Sequence, residues 1–137
     1  MSNKSTGTAF EKEFAELLAS IGFWVHRLQD NQNGQPFDMI AAKNRNAYVI
    51  DCKDCRCDDF SLYRIEENQM NAMRHWRNCG NGDGLFAIKF SNGKIRLLNF
   101  STAELLIETG KRRLRGSLIK EYTMSLEKWR YEDHNQQ

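Results

Sequence analysis

Two acidic residues and a lysine stand in an arrangement that could support hydrolysis of a phosphodiester. Asp51 and Lys53 are two positions apart in an apolar, β-branched segment, and alternate side chains of a strand project from one face. Asp38 follows a Gly-Gln-Pro turn, so a hairpin between the two segments would bring Asp38 close to Asp51. Neighbouring carboxylates repel each other unless a cation lies between them, and Mg²⁺ prefers oxygen ligands. The pattern therefore predicts a metal-binding acidic pair, with Lys53 beside it to position a water or to stabilise charge on a phosphate.

Two further polar residues border apolar helical faces. Glu11 could reach the sheet from the first helix, although its spacing fits an ordinary surface glutamate equally well. Gln69 shares a helical face with apolar residues, and a glutamine placed inward needs hydrogen-bond partners. It could hold an attacking water or a scissile phosphate, or it could cap a backbone group. An isolated Asp-x-Lys triplet often arises by chance, so the prediction depends on the combination of these residues.

Hydrophobic spacing predicts the elements that must position these side chains. Helical periodicity covers about residues 8–21 and 65–78, and a shorter helix covers about 102–109. Strands are predicted at about 23–28, 37–42, 47–53, 85–90 and 94–99, with turns at 30–36, 43–46 and 91–93. The order α-β-β-β-α-β-β-α predicts an α/β domain with one mixed sheet flanked by helices.

Length and composition limit the possible organisation. The 137 residues fit a single domain, with a flexible leader at about 1–6 and a basic C-terminal region from about residue 110. Leu126 and Trp129 are expected to dock on the body of the domain. The chain has neither a secretory signal nor the run of about 20 apolar residues that a membrane span needs, so we expect a cytoplasmic protein without a membrane partner.

Charge and cysteine content leave alternatives open. The net charge is only +2, but a basic run at 111–115 could neutralise phosphates, or could simply be a solvated loop. Cys52, Cys55, Cys57 and Cys79 raise the alternative of a zinc module. Cys52 would face the core and no second close pair follows, which favours reduced structural thiols.

The ordered motifs resemble the PD-(D/E)xK nuclease superfamily. They are Gly-Thr-Ala-Phe-Glu at 7–11, Pro-Phe-Asp at 36–38, Asp-Cys-Lys at 51–53, and Gln69. Within that superfamily the chain is similar to small Holliday-junction resolvases of the bacterial RecU and archaeal Hjc kinds and their phage-borne relatives. Residues 60–69 followed by 84–90 are similar to the RecU pattern. The resemblance covers about residues 7–100, and the tail beyond has no match.

The resemblance implies a restriction-endonuclease-like core and a metal-dependent DNA endonuclease. Such an enzyme resolves four-way junctions by paired nicks as a homodimer, in DNA recombination and repair, in a bacterial or phage-infected cell. It implies that Asp38 and Asp51 bind Mg²⁺, with Mn²⁺ as a substitute, and that Glu11 completes the metal site, often through water. Lys53 would be the catalytic lysine, and Gln69 would lie near the active site. Candidate DNA contacts are Arg27, Lys43, Arg56, Arg64, Lys111, Arg112, Arg113 and Arg115.

Two departures from the family pattern keep other functions open. Asp51 stands where these resolvases more often carry Glu, and the interval from Glu11 to Asp38 has no insertion like the RecU stalk. The missing insertion weakens the case for junction selectivity more than the case for cleavage. The alternatives are a restriction-like or degradative phage endonuclease acting on linear or single-stranded DNA, and a non-catalytic DNA-binding module. The intact set of acids and lysine argues against the latter.

Overall fold

A six-stranded mixed sheet with helices on both faces forms the centre of the molecule. The computed structural model describes residues 3–29 and 35–134, with side chains for 8–29 and 35–132. The helices are α1 (Asn3–Ser20), α2 (Glu67–Asn78), α3 (Phe100–Glu108), α4 (Ser117–Tyr122) and α5 (Leu126–His134), and a 3-10 turn, Leu62–Arg64, precedes α2. The strands are β1 (Trp24–Arg27), β2 (Met39–Lys43), β3 (Asn46–Asp54), β4 (Phe60–Ser61), β5 (Leu85–Lys89), β6 (Ile95–Asn99), β7 (Arg113–Leu114) and β8 (Met124–Ser125). The predicted α/β architecture, a mixed sheet flanked by helices, is confirmed.

The pairing of the strands brings the motif residues to one end of the sheet. The order is β1-β2-β3-β5-β6-β8, in which β3 and β5 are parallel and the other pairs are antiparallel. Asp38 extends the β2 ladder by one residue, because its N–H donates to Ile50 O at 2.8 Å and its O accepts from Leu28 N–H at 2.9 Å. Since Met39 pairs with Ile50, this register places Asp38 beside Asp51.

Each face of the sheet has its own hydrophobic core. On one face, α1 buries Phe10, Phe14 and Leu18, which recur every four residues and so form one side of the helix. Trp129 of α5 stacks on Phe23 at 5.5 Å on the same face, which confirms the expected docking of the tail. Burial of each such side chain contributes roughly 1.5–3 kcal/mol. The core of the other face includes Val49, Met73, Phe86, Ile88, Phe100 and Leu106.

The differences from the predicted elements lie mainly at the ends of the chain. The helix α1 begins at Asn3, where the sequence predicted a flexible leader through residue 6. Of the polar turn predicted at 30–36, residues 30–34 lie outside the described residues. After Gly110 the chain adds β7, α4, β8 and α5, which the predicted order omitted. The added strands have only two residues each, too few to show a period. In the described ranges, every helix is too short or too polar to cross a membrane.

Candidate active site

Asp51, which is buried, and Asp38, which is half-buried, form the centre of the site. Asp38 Oδ2 accepts the N–H of Cys52 at 2.7 Å, which fixes the orientation of that carboxylate. Asp51 is 3% exposed. Burial raises the pKa of Asp51 to about 7; the Lys53 ammonium opposes this shift and the Asp38 carboxylate adds to it. The hairpin between β2 and β3 therefore does what the spacing predicted and brings the two acids together.

Lys53 lies against Asp51 on the same face of β3. Its Nζ is 2.9 Å from Asp51 Oδ2 and donates to Gln69 Oε1 at 3.0 Å. The predicted sharing of one face by Asp51 and Lys53 follows from the pairing of these residues with Phe86 and Ile88 of β5. The ammonium group is thus held between a carboxylate and an amide oxygen at the edge of the acidic pair.

Gln69 is an inward-facing residue of the first turn of α2. It is 7% exposed, and its Oε1 accepts both from Lys53 and from the N–H of Glu66, the latter at 3.1 Å. The Glu66 side chain in return accepts from the N–H of Gln69, which makes a capping box. Of the two roles that the sequence left open, the structure shows the backbone cap and adds the contact with Lys53. The role of Glu66 was not predicted, although its Glu-x-x-Gln spacing at the start of a helix indicates a capping box.

Glu11 reaches the sheet from α1 and lies beside Arg27 of β1. Its Oε1 lies 3.8 Å from Arg27 Nη2, and its side chain is 19% exposed. Among the described residues, no three His, Cys, Asp or Glu side chains are grouped so as to hold a metal ion. The contribution of Glu11 to a metal site, directly or through a water, stays a prediction.

The acidic pair fits a hard divalent cation. Asp51 Oδ2 accepts no hydrogen bond of normal geometry from a described residue, although Lys53 lies 2.9 Å away. A buried carboxylate oxygen that lacks such a hydrogen bond and faces a second carboxylate is stabilised when a cation is bound. Mg²⁺ binds proteins through one or two carboxylates and keeps several waters, so a pair of carboxylates matches the ligands that it prefers.

The four cysteines do not form a zinc site. Cys55 is buried and its thiol donates to Asp59 O at 2.9 Å, whereas Cys57 and Cys79 are exposed. Cys52 is partly buried, and burial raises its pKa well above the ordinary value, with Asp38 and Asp51 adding to the effect. The zinc alternative is therefore not supported by the positions of these side chains.

Several of the predicted DNA contacts lie at the end of the sheet that carries Asp38, Asp51 and Lys53. Arg27 borders the site through Glu11. Arg56, just beyond β3, is exposed and lies 3.9 Å from Asp54 Oδ2, and Arg64 donates to the carbonyl oxygen of Asp54 at 3.2 Å. Arg56 and Arg64 therefore lie at the end of the strand that carries Lys53.

The basic run joins this region through the 3-10 turn, because the N–H of Leu62 donates to Arg112 O at 2.9 Å. Lys111, Arg112 and Arg115 are exposed. Arg113 is instead paired with Asp59 at 3.2 Å, across the β4–β7 ladder.

Lys43 has a structural role. It lies at the opposite end of β2, where its Nζ donates to Ile21 O at 2.8 Å, at the end of α1, and sits 5.5 Å from the centre of the Phe23 ring. This placement argues against the predicted DNA contact, since the ammonium group already stabilises a helix C-terminus.

Comparisons with known proteins identify the family. The model of a family described as archaeal Holliday junction resolvase (Hjc) matches residues 2–125. The chain belongs to the Hjc family. The match extends past residue 100, where the resemblance seen in the motifs ended. Membership of the Hjc family supports a nuclease that resolves Holliday junctions.

A solved structure agrees with this assignment. The Hjc Holliday junction resolvase of Archaeoglobus fulgidus, an archaeal hyperthermophile, matches with a TM-score of 0.69 and 19% identity, over 89% of this chain and 98% of that chain. The likeness shows a shared fold and confirms the predicted restriction-endonuclease-like core. No sequence of a curated protein matches this chain.

Proposed function

We propose that this protein is a divalent-metal-dependent endonuclease that resolves four-way DNA junctions, with Asp38, Asp51 and Lys53 at its catalytic centre. One observation carries the proposal. In a chain of the Hjc family, the buried carboxylate of Asp51 lies beside the half-buried carboxylate of Asp38, and a lysine ammonium lies 2.9 Å from Asp51. This is the set of groups that phosphodiester hydrolysis requires.

The side chains divide the work. When bound, Mg²⁺, or Mn²⁺ as a substitute, supplies positive charge to the scissile phosphate and activates water. Asp38 and Asp51 bind the cation, and the N–H of Cys52 keeps Asp38 oriented. Lys53, held by Gln69, places a fixed ammonium group where negative charge grows on the phosphate.

We also propose that the protein acts as a homodimer on branched DNA. Two-fold symmetry in the protein would match that of the four-way junction, so that two sites nick related strands. Arg27, Arg56 and Arg64 at the catalytic end of the sheet would bind phosphates without reading sequence. The biological setting would be DNA recombination and repair.

A cleavage assay with Mg²⁺ tests the proposal. It compares a mobile four-way junction with linear duplex and single strands of matched sequence, for the wild type, Lys53→Ala and the control Lys128→Ala, an exposed lysine of α5. We expect paired, symmetric nicks in the junction, a loss of about 10²–10³-fold in rate for Lys53→Ala, and no change for Lys128→Ala.

Other outcomes would place the protein elsewhere. Equal cleavage of linear DNA that still depends on Lys53 would keep the site but indicate a restriction-like or degradative nuclease. Absence of cleavage of every substrate with both Mg²⁺ and Mn²⁺ would contradict the proposed activity.

A further inference from the structure

An aromatic pair is exposed on the edge strand of the sheet. Trp24 of β1 keeps 62% of its surface exposed, and its ring stacks on the ring of His26 at 5.9 Å with 11° between the planes. Two rings on alternate residues of a strand hold each other in one orientation, so little side-chain freedom is left to lose when a flat ligand binds. A tryptophan usually buries most of its large apolar surface, and this one lies open on a fixed platform.

The aromatic pair lies on the face of the sheet that carries the catalytic acids. His26 pairs with Ile40, and Trp24 pairs with Ala42. Ile40 and Ala42 alternate with Asp38 along the chain and so project from the same face. With about 4.8 Å between strands and about 6.8 Å between alternate residues, His26 lies roughly 12 Å from Asp51 along this face. That distance corresponds to about three to four nucleotides at roughly 3.4 Å per step of a stacked strand.

One exposed cation lies beside this surface. Arg27 and Lys43 are instead directed toward α1 on the opposite face of the sheet, through Glu11 and the carbonyl oxygen of Ile21 respectively. Arg45 is exposed in the two-residue turn that follows the Trp24 end of the surface, in a left-handed conformation with φ of 70°. An aromatic platform with a cation at one end is complementary to a nucleobase and an adjoining phosphate.

We propose that Trp24 and His26 form a stacking platform for an unpaired base of the DNA strand that enters the active site. The inference rests on the proposed nuclease function and adds a basis for its preference for branched DNA. Bases of a linear duplex are stacked on each other, whereas bases at a branch point can leave the stack at a lower cost and lie on an aromatic face. The chain has no insertion resembling a junction-entering stalk, so this surface supplies a different source of selectivity.

Intrinsic fluorescence offers a direct measurement of the stacking. The chain has three tryptophans, of which Trp129 is 3% exposed and Trp76 is partly buried, so Trp24 is the exposed emitter. The wild type is titrated with a four-way junction and with matched linear duplex, with Ca²⁺ in place of Mg²⁺ so that binding is measured without turnover. We expect the junction to quench the emission from the exposed tryptophan, and Trp24→Phe to lose this quenching while it keeps its affinity.

Affinity measurements on further variants complete the test. Trp24→Leu keeps an apolar side chain but removes the ring, and we expect about 5- to 150-fold weaker binding of the junction with little change for linear duplex. The control is Tyr131→Leu, a tyrosine 70% exposed on α5, which should behave as the wild type. Because Trp24 and Tyr131 are both exposed, the circular dichroism spectra and melting temperatures of the two variants should match those of the wild type.

Each other outcome points to a distinct conclusion. Unchanged junction affinity in Trp24→Leu, or an equal loss on linear duplex, would overturn the platform while cleavage by the wild type upheld the nuclease function. A change of oligomeric state in Trp24→Leu, measured by sedimentation, would make the edge strand an interface between two copies of the chain and would overturn the platform. A wild type that neither binds nor cleaves any DNA would overturn the nuclease function and the platform together.

Discussion

Asp51 is a carboxyl group whose charge is costly in the metal-free fold. It is 3% exposed and faces Asp38, and among the described residues the opposite charge that stabilises it is the Lys53 ammonium. Burial outweighs this lysine and raises the pKa of Asp51 from 3.8 to about 7. Between these two pH values the folded protein holds a proton that the unfolded chain has released. Without metal, stability conferred by this group therefore falls as pH rises through the window and is constant above about pH 7.

We predict that Asp51→Asn removes this pH dependence while it abolishes cleavage. The difference in free energy of unfolding, variant minus wild type, should grow by up to about 1.4 kcal/mol per pH unit between pH 5 and about pH 7, in favour of the variant. Urea unfolding in EDTA at several pH values measures it. Added Mg²⁺ should raise the melting temperature of the wild type above pH 7 and leave that of Asp51→Asn unchanged. A flat difference across this range would show that Asp51 is already ionised in the metal-free fold.

At the scale of elements, the side chain of Gln69 connects the start of α2 with Lys53 of β3. Gln69 closes the capping box of α2 through the N–H of Glu66 and, with the same oxygen, accepts from Lys53. The stability of α2 and the position of the Lys53 ammonium group are therefore linked. The two halves of the capping box differ, because the Glu66 side chain contacts the Gln69 backbone and has no part in holding Lys53.

This asymmetry gives a matched pair of variants. Glu66→Ala and Gln69→Ala should each lower the free energy of unfolding by about 0.5–2 kcal/mol, because each removes one capping hydrogen bond. Only Gln69→Ala should also lower kcat for the proposed cleavage, by about tenfold or more, since Lys53 loses an acceptor. Chemical denaturation and single-turnover cleavage measure the two effects. Equal kcat losses in both variants would mean that helix stability alone governs the rate.

At the scale of the whole molecule, the distribution of charge matters more than its sum. Although the net charge is only +2, several cations are grouped on one part of the surface. Arg56 and Arg64 lie beside the end of β3, and the 3-10 turn connects this region to Arg112. Arg113 is occupied by Asp59, so a carboxylate introduced at position 113 would disturb the β4–β7 ladder as well as any DNA contact. Arg112 is the cleaner probe of the basic run.

We expect Arg112→Glu to weaken DNA binding about equally for all sequences and to reduce the slope of log affinity against log salt by about 1. Binding is measured between about 50 and 200 mM salt, where phosphate contacts have their largest effect. Arg130→Glu, an exposed arginine of α5, has the same change of charge and should have a smaller effect. The same affinity and slope in both variants would place the basic run outside the binding surface.

Local patterns in the sequence were sufficient to predict the main helices and strands and the proximity of Asp38 and Asp51. The helices of residues 3–20, 67–78 and 100–108 and the five longer strands all have periods that are readable within one element. The meeting of Asp38 with Asp51 followed from a short hairpin, because thirteen residues leave few ways to connect two adjacent strands. Alternation along β3 placed Lys53 on the face of Asp51.

Contacts between distant segments were decided by the tertiary structure. Local spacing could not determine that Glu11 pairs with Arg27, that Lys43 caps the end of α1, or that Arg113 pairs with Asp59, because each pairing depends on which surfaces meet after the sheet forms. The burial that raises the pKa of Asp51 has the same origin, since β3 becomes enclosed only when β2 and β5 pair with it. The sequence by itself determined which groups are present and which face of a strand or helix they share. Only packing between segments far apart in the chain determined which of these groups are buried, paired or left open, as Trp24 is.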